Sequence, residues 1–81
     1  MGRREKLIAR FLNHPKDFTW DELVRLLHGA GFEEAKAAGS RRRFSHPGGP
    51  VISLHRPHPD SIVKPYVLNE VRRCLIEENL I

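Results

Sequence analysis

Between Gly39 and Pro59 the chain reads GSRRRFSHPGGPVISLHRPHP. Three of its five histidines (His46, His55 and His58) fall here, with four of its 14 Lys and Arg residues: Arg41, Arg42, Arg43 and Arg56. The stretch contains no Asp or Glu. Imidazoles exchange protons near neutral pH, and a guanidinium fork holds two phosphate oxygens at once. These residue types suit the binding of a polyanion, and equally the cutting of one.

The surrounding pattern predicts how such residues are positioned. Leu7, Ile8, Phe11 and Leu12 recur at helical spacing, so a helix is expected over roughly Arg3–Asn13, ended by His14-Pro15. Thr19-Trp20-Asp21-Glu22 has the form of a capping box and opens a second helix. Its apolar face is Trp20, Leu23, Val24 and Leu27, and Gly29 or Gly31 stops it. Trp20 is expected as a core anchor. Three strands follow, over Phe32–Lys36, Arg41–Ser45 and Val51–His55, with His46-Pro47-Gly48-Gly49-Pro50 turning between the last two. If Phe44, Ile52 and Leu54 face the core, alternation places Arg41, Arg43 and His55 together on the open face. Pro57–Lys64 reads as a proline-rich loop, and Pro65 starts a last helix with Leu68, Val71 and Leu75 inward and Val67 and Cys74 flanking.

The predicted order is α-α-β-β-β-α: an α+β, two-layer domain with a three-stranded antiparallel sheet packed on helices. Its α-β-β-β-α core has the order of a double-stranded-RNA-binding domain, which by itself is an analogy of fold. Eighty-one residues suffice for a single domain, 1–81. A net charge of +4 favours anionic partners such as nucleic acid, a membrane surface or an acidic protein. Cys74 is the single cysteine, which excludes an intrachain disulfide and fits a reducing compartment. LIARFL, near the start, is too short and too interrupted by Arg10 for a signal peptide, and no run is long enough to span a membrane. A soluble cytoplasmic domain is the expectation.

Leu27-His28-Gly29-Ala30-Gly31-Phe32 resembles the helix end of HicA-type toxins. The likeness continues through Gly39-Ser40, a basic-aromatic strand, His46-Pro47, the His55-Arg56-Pro57-His58-Pro59 loop and the final helix. It covers about Trp20–Ile81, with 1–15 as an N-terminal helical extension and 19–81 as the HicA-like core. The resemblance implies a toxin of a type II toxin–antitoxin pair with a double-stranded-RNA-binding-like fold. Such a protein cleaves mRNA without a metal, blocks translation and is restrained by a HicB-type antitoxin. It also implies a catalytic histidine after the Gly-Ser pair, and here Arg41 occupies that position.

Metal-free RNA cleavage turns the substrate's own 2′-hydroxyl into the nucleophile. The enzyme removes its proton, stabilises charge on the phosphate and protonates the leaving 5′-oxygen. His55 is the first choice for general base because it ends a strand on the Arg41/Arg43 face, with His58 and His46 as alternatives. Ser40, Arg41, Arg43 and Arg56 are expected to hold phosphates. Each has a plainer reading. On that reading His46 only starts a turn, His55 is an exposed strand end, His58 a rigid residue between prolines, and the arginines an edge strand's protective charge. His14 and His28, both at helix ends, are expected to be structural. No cofactor or metal is expected, since His55 and His58 lack further ligands at a recognisable spacing. Gly48-Gly49 lacks the helix and lysine of a phosphate loop. No carboxylate falls between Glu34 and Asp60, so no Ser–His–acid set is read around the histidines. An RNA-cleaving toxin and a non-catalytic RNA- or partner-binding module both remain open.

Overall fold

The computed structural model describes residues 2–37 and 39–81. Its elements are α1 (Arg3–Leu12), α2 (Trp20–Gly29), β1 (Glu33–Lys36), β2 (Arg41–Ser45), β3 (Val51–His55) and α3 (Pro65–Glu77). The sheet is antiparallel in the order β1-β2-β3. This is the expected α+β architecture. Phe44 and Leu54 are buried on the sheet's inner face against Trp20, Leu23, Leu27, Leu68, Val71 and Leu75 from the helices. Trp20 meets Phe44 edge-on at 6.0 Å between ring centroids, which makes it the expected core anchor.

The termini of α2 follow from local chemistry. Thr19 accepts from the Glu22 amide at 3.2 Å, and the Glu22 carboxylate accepts from the Thr19 amide at 3.0 Å, completing the capping box. At the other end the Gly31 amide donates to His28 O and the Phe32 amide to Leu27 O, each at 3.0 Å. This Schellman arrangement uses Gly31 at φ +103°, where a side chain would be strained. Phe32 is therefore the buried residue after a helix cap rather than the first residue of β1, which begins at Glu33. Ala38, beyond the expected end of β1, lies outside the described residues. The last turn of α3 repeats the motif with Asn79 at φ 55° and the Leu80 amide on Leu75 O at 2.8 Å.

Helix α1 packs into the same core, but through fewer contacts than its pattern predicts. Phe11 is fully buried, whereas Leu12 is 40% exposed and Leu7 and Ile8 are partly covered. Phe11 leans on Phe18 at 5.5 Å. It also lies under Arg72 of α3, whose guanidinium carbon is 4.9 Å from the ring centroid. Arg72 donates to Phe11 O at 2.8 Å and to Asn69 Oδ1 at 2.6 Å. Its charge thus caps a carbonyl that the end of α1 leaves without an intrahelical partner. Arg72 is only 8% exposed and ties the N-terminal helix to the C-terminal one.

Candidate functional site

The register of β2 and β3 pairs Arg41 with His55, Arg43 with Ser53 and Phe44 with Ile52. Arg41, Arg43 and His55 are exposed on the face away from the helices, as the alternation predicts. Arg41 and His55 are directly opposed, so their side chains leave the sheet about 5 Å apart. Arg42 points the other way. It is 17% exposed, stands 3.9 Å from Glu34 and donates to the Gly39 and Arg41 carbonyls at 3.2 and 3.0 Å. Arg41, Arg43 and Arg56 make no side-chain hydrogen bond or ion pair among the described residues.

Beyond β3, the loop carrying His58 is held at both ends. The Arg56 amide donates to Ser40 O at 2.9 Å and extends the β2–β3 ladder by one rung. Further on, Thr19 and Ile62 form an antiparallel bridge, with Trp20 N on Ser61 O at 2.7 Å and Val63 N on Phe18 O at 2.9 Å. Phe18 and Val63, at the ends of that ladder, are both buried. Asp60 turns the segment by accepting from the Ile62 amide at 2.9 Å.

Two grooves flank this loop. One, of about 380 Å³, is lined by His55, Arg56, His58, Lys64, Tyr66 and Glu70 among others. The second, of about 440 Å³, takes in Ser40 together with Arg56, His58 and Asp60. The structure therefore brings together His55, His58, Arg56 and Ser40 of the expected residues, beside the exposed Arg41. It also adds residues the sequence did not suggest. Lys64 and Tyr66 arrive with the first turn of α3, and Tyr66 is 62% exposed. The expectation that no carboxylate lies near the histidines is corrected: Asp60, two residues after His58, and Glu70 of α3 line these grooves.

His46 stands apart from this cluster, at the opposite end of the hairpin. Its Nδ1 accepts from the Gly48 amide at 2.9 Å, which leaves Nε2 to donate to Ala30 O at 3.0 Å. The ring meets Phe32 edge-on at 5.1 Å. A Cβ at Gly31 would come within 2.9 Å of His46 Nε2, so this glycine is required by packing as well as by φ. Both imidazole nitrogens are thus engaged in pinning the hairpin to the end of α2. His14, at φ 53°, closes α1, and His28 stands 3.9 Å from Glu34.

The half-buried Cys74 thiol is pushed up from its usual range by burial and by Glu78 and Glu77, which disfavours the reactive thiolate. Among the described residues no three His, Cys, Asp or Glu side chains gather as a metal-ligand set. None of the described helices is long and apolar enough to cross a membrane.

Neither a curated protein nor a solved structure significantly matches the chain. The family model for the HicA toxin of bacterial toxin–antitoxin systems matches residues 20–76. That span runs from the first turn of α2 almost to the end of α3 and contains both grooves and the whole sheet. The chain therefore belongs to the HicA toxin family, as a toxin of a toxin–antitoxin system with an antitoxin as its partner.

Proposed function

We propose that this toxin is a metal-independent endoribonuclease that cleaves mRNA and so blocks translation, with His55 and His58 as its proton-transfer pair. The observation that carries the reading is the meeting of His55, Arg56 and His58 in one groove beside unpartnered Arg41. His55, fixed on a strand, takes the proton of the RNA 2′-hydroxyl. The 2′-oxygen attacks the adjacent phosphorus, and the bond to the 5′-oxygen breaks. His58, on the loop, supplies the proton that the leaving 5′-oxygen needs. The products are a 2′,3′-cyclic phosphate and a free 5′-hydroxyl, so atoms and protons balance without a further reactant. Arg41, Arg43, Arg56 and Ser40 hold phosphates, and their charge stabilises the pentavalent transition state. The exposed ring of Tyr66 at the groove offers a face for stacking a base.

His46 has no place in this scheme, because its hydrogen bonds are already spent on the fold. The reading is tested by incubating purified protein with single-stranded RNA in chelator and analysing the fragment ends. Cyclic phosphate termini that vanish in His55→Ala/His58→Ala support it. Cleavage at the wild-type rate in that double variant overturns it.

Arg41, at the position where the family resemblance implies a histidine, favours a second reading: a chain that binds RNA or its antitoxin without cutting. A duplex-RNA binder would protect about 16 base pairs and prefer duplex to single strands. Intact RNA with tight, duplex-preferring binding would select this alternative. In either case a HicB-type antitoxin fits the site by presenting acidic groups to Arg41, Arg43 and Arg56.

A further inference from the structure

A second basic surface lies on the helical layer. An open groove of about 470 Å³ between α1 and α2 is lined by Arg3, Arg4, Lys6, Arg10 and Arg25, with Glu22 as its one carboxylate. That carboxylate is neutralised where it stands, since Arg10 Nε donates to Glu22 Oε2 at 2.9 Å. The charge of Arg3, Arg4, Lys6 and Arg25 is left without a carboxylate partner among the described residues. Arg4 is directed across the end of α2: its guanidinium lies over Gly29, where any Cβ would collide with it. The residues from α1 all precede the segment matched by the family model, and none of the groove's lining residues is shared with the histidine grooves.

We propose that this α1–α2 groove is a second binding surface for the phosphate backbone of single-stranded RNA, outside the cleavage site. The inference rests on the RNA reading of the histidine site. The chemistry favours phosphate over an acidic protein. Three of the four free cations are arginines, whose forks match phosphate oxygens. A protein interface would need a buried aromatic or aliphatic anchor, and the only apolar side chain lining the groove among the described residues, Leu7, is already partly covered by the core. A strand gripped here as well as at the histidines would be held at two places, raising affinity without changing the chemical step.

The test is the salt dependence of binding of a labelled single-stranded RNA, measured for the wild type and for Arg3→Gln/Lys6→Gln/Arg25→Gln. These three residues are exposed, and the hydrogen bond of Arg25 Nε to Asp21 O at 3.4 Å lies on the surface, so the variant is expected to fold, as its thermal transition would show. Each phosphate contact contributes about 0.7 to the slope of log K against log salt for single strands. Loss of three contacts therefore lowers the slope by about 2, with kcat at saturating RNA unchanged. The same affinity and slope in wild type and variant overturn this inference and leave the RNA reading standing. A variant that loses only antitoxin binding, with RNA binding intact, also overturns it. A wild type that binds no RNA overturns both.

Discussion

Six arginines of this small protein form two sets that behave differently. Arg10, Arg42 and Arg72 are tied into the fold. Arg10 joins Glu22 and Asp17, Arg42 folds back on the β1–β2 turn, and Arg72 is buried over Phe11. Arg41, Arg43 and Arg56, around the histidine loop, have no such partners among the described residues and face solvent. Cations that serve the fold find a carboxylate, a carbonyl or an aromatic ring. Cations left on an open sheet face beside two histidines have their natural partner in another molecule. The contrast teaches that charge count says little here, whereas charge engagement separates architecture from interface.

The largest effect should come from the open side. His55→Ala/His58→Ala is expected to lower RNA cleavage by about 10²–10⁴-fold while leaving the thermal unfolding midpoint near that of the wild type. A large fall in the midpoint would mean that these histidines belong with the structural set. The converse experiment is Arg72→Ala. It strands the Phe11 carbonyl in the interior and removes the cation over its ring, so denaturant unfolding should show a loss of about 2–4 kcal/mol. A loss below 0.5 kcal/mol, the ordinary range for a surface site, would place Arg72 outside the structural set.

Only part of this division can be read along the chain. Alternation over Arg41–Ser45 and Val51–His55 is enough to put Arg41 and His55 on one face, because Phe44, Ile52 and Leu54 fix which face is inward. The capping box at Thr19 and Pro65 at the start of α3 are equally legible, since both are local chemistry. Phe18 and Val63 are not. They look like loop residues, and their burial depends on a two-bond ladder between segments more than 40 positions apart in the sequence. Leu26 reads as lying beside the apolar face of α2, yet α2 is covered on two sides and buries it. Arg72 is hidden for a similar reason, as its partner Phe11 is 61 residues away. Of the groove carboxylates, Asp60 is legible two residues after His58, whereas Glu70 enters only with α3.

A smaller effect separates the sets by pH. Hydrogen bonding from Arg10, helped by the Thr19 amide and hydroxyl, lowers the Glu22 carboxyl from its ordinary value to about 2, against the opposing cost of its burial. A carboxyl whose pKa is lower folded than unfolded stabilises the protein fully above its unfolded value, near 4.5, and loses that contribution as pH falls toward 2. Glu22→Gln should therefore cost about 2 kcal/mol at neutral pH, and the two stability curves should converge between pH 4.5 and 2. Parallel curves would show that the Arg10–Glu22 pair contributes nothing to folding.

The finest test concerns Arg41 itself, the one open-face arginine at the position where the resemblance implies a histidine. Because Arg41 is registered directly opposite His55, an imidazole moved from one to the other shifts by about one interstrand spacing, roughly 5 Å. A phosphate held by the neighbouring arginines could follow such a shift. The histidine function would then have crossed the ladder from β2 to β3, with an arginine left behind to hold the charge. Arg41→His placed in the His55→Ala protein should on this view recover cleavage by about tenfold, or ~1.4 kcal/mol of barrier, and Arg41→Gln in the same background should recover none. Equal failure of both would mean that the two positions are not interchangeable, and that Arg41 serves phosphate binding alone.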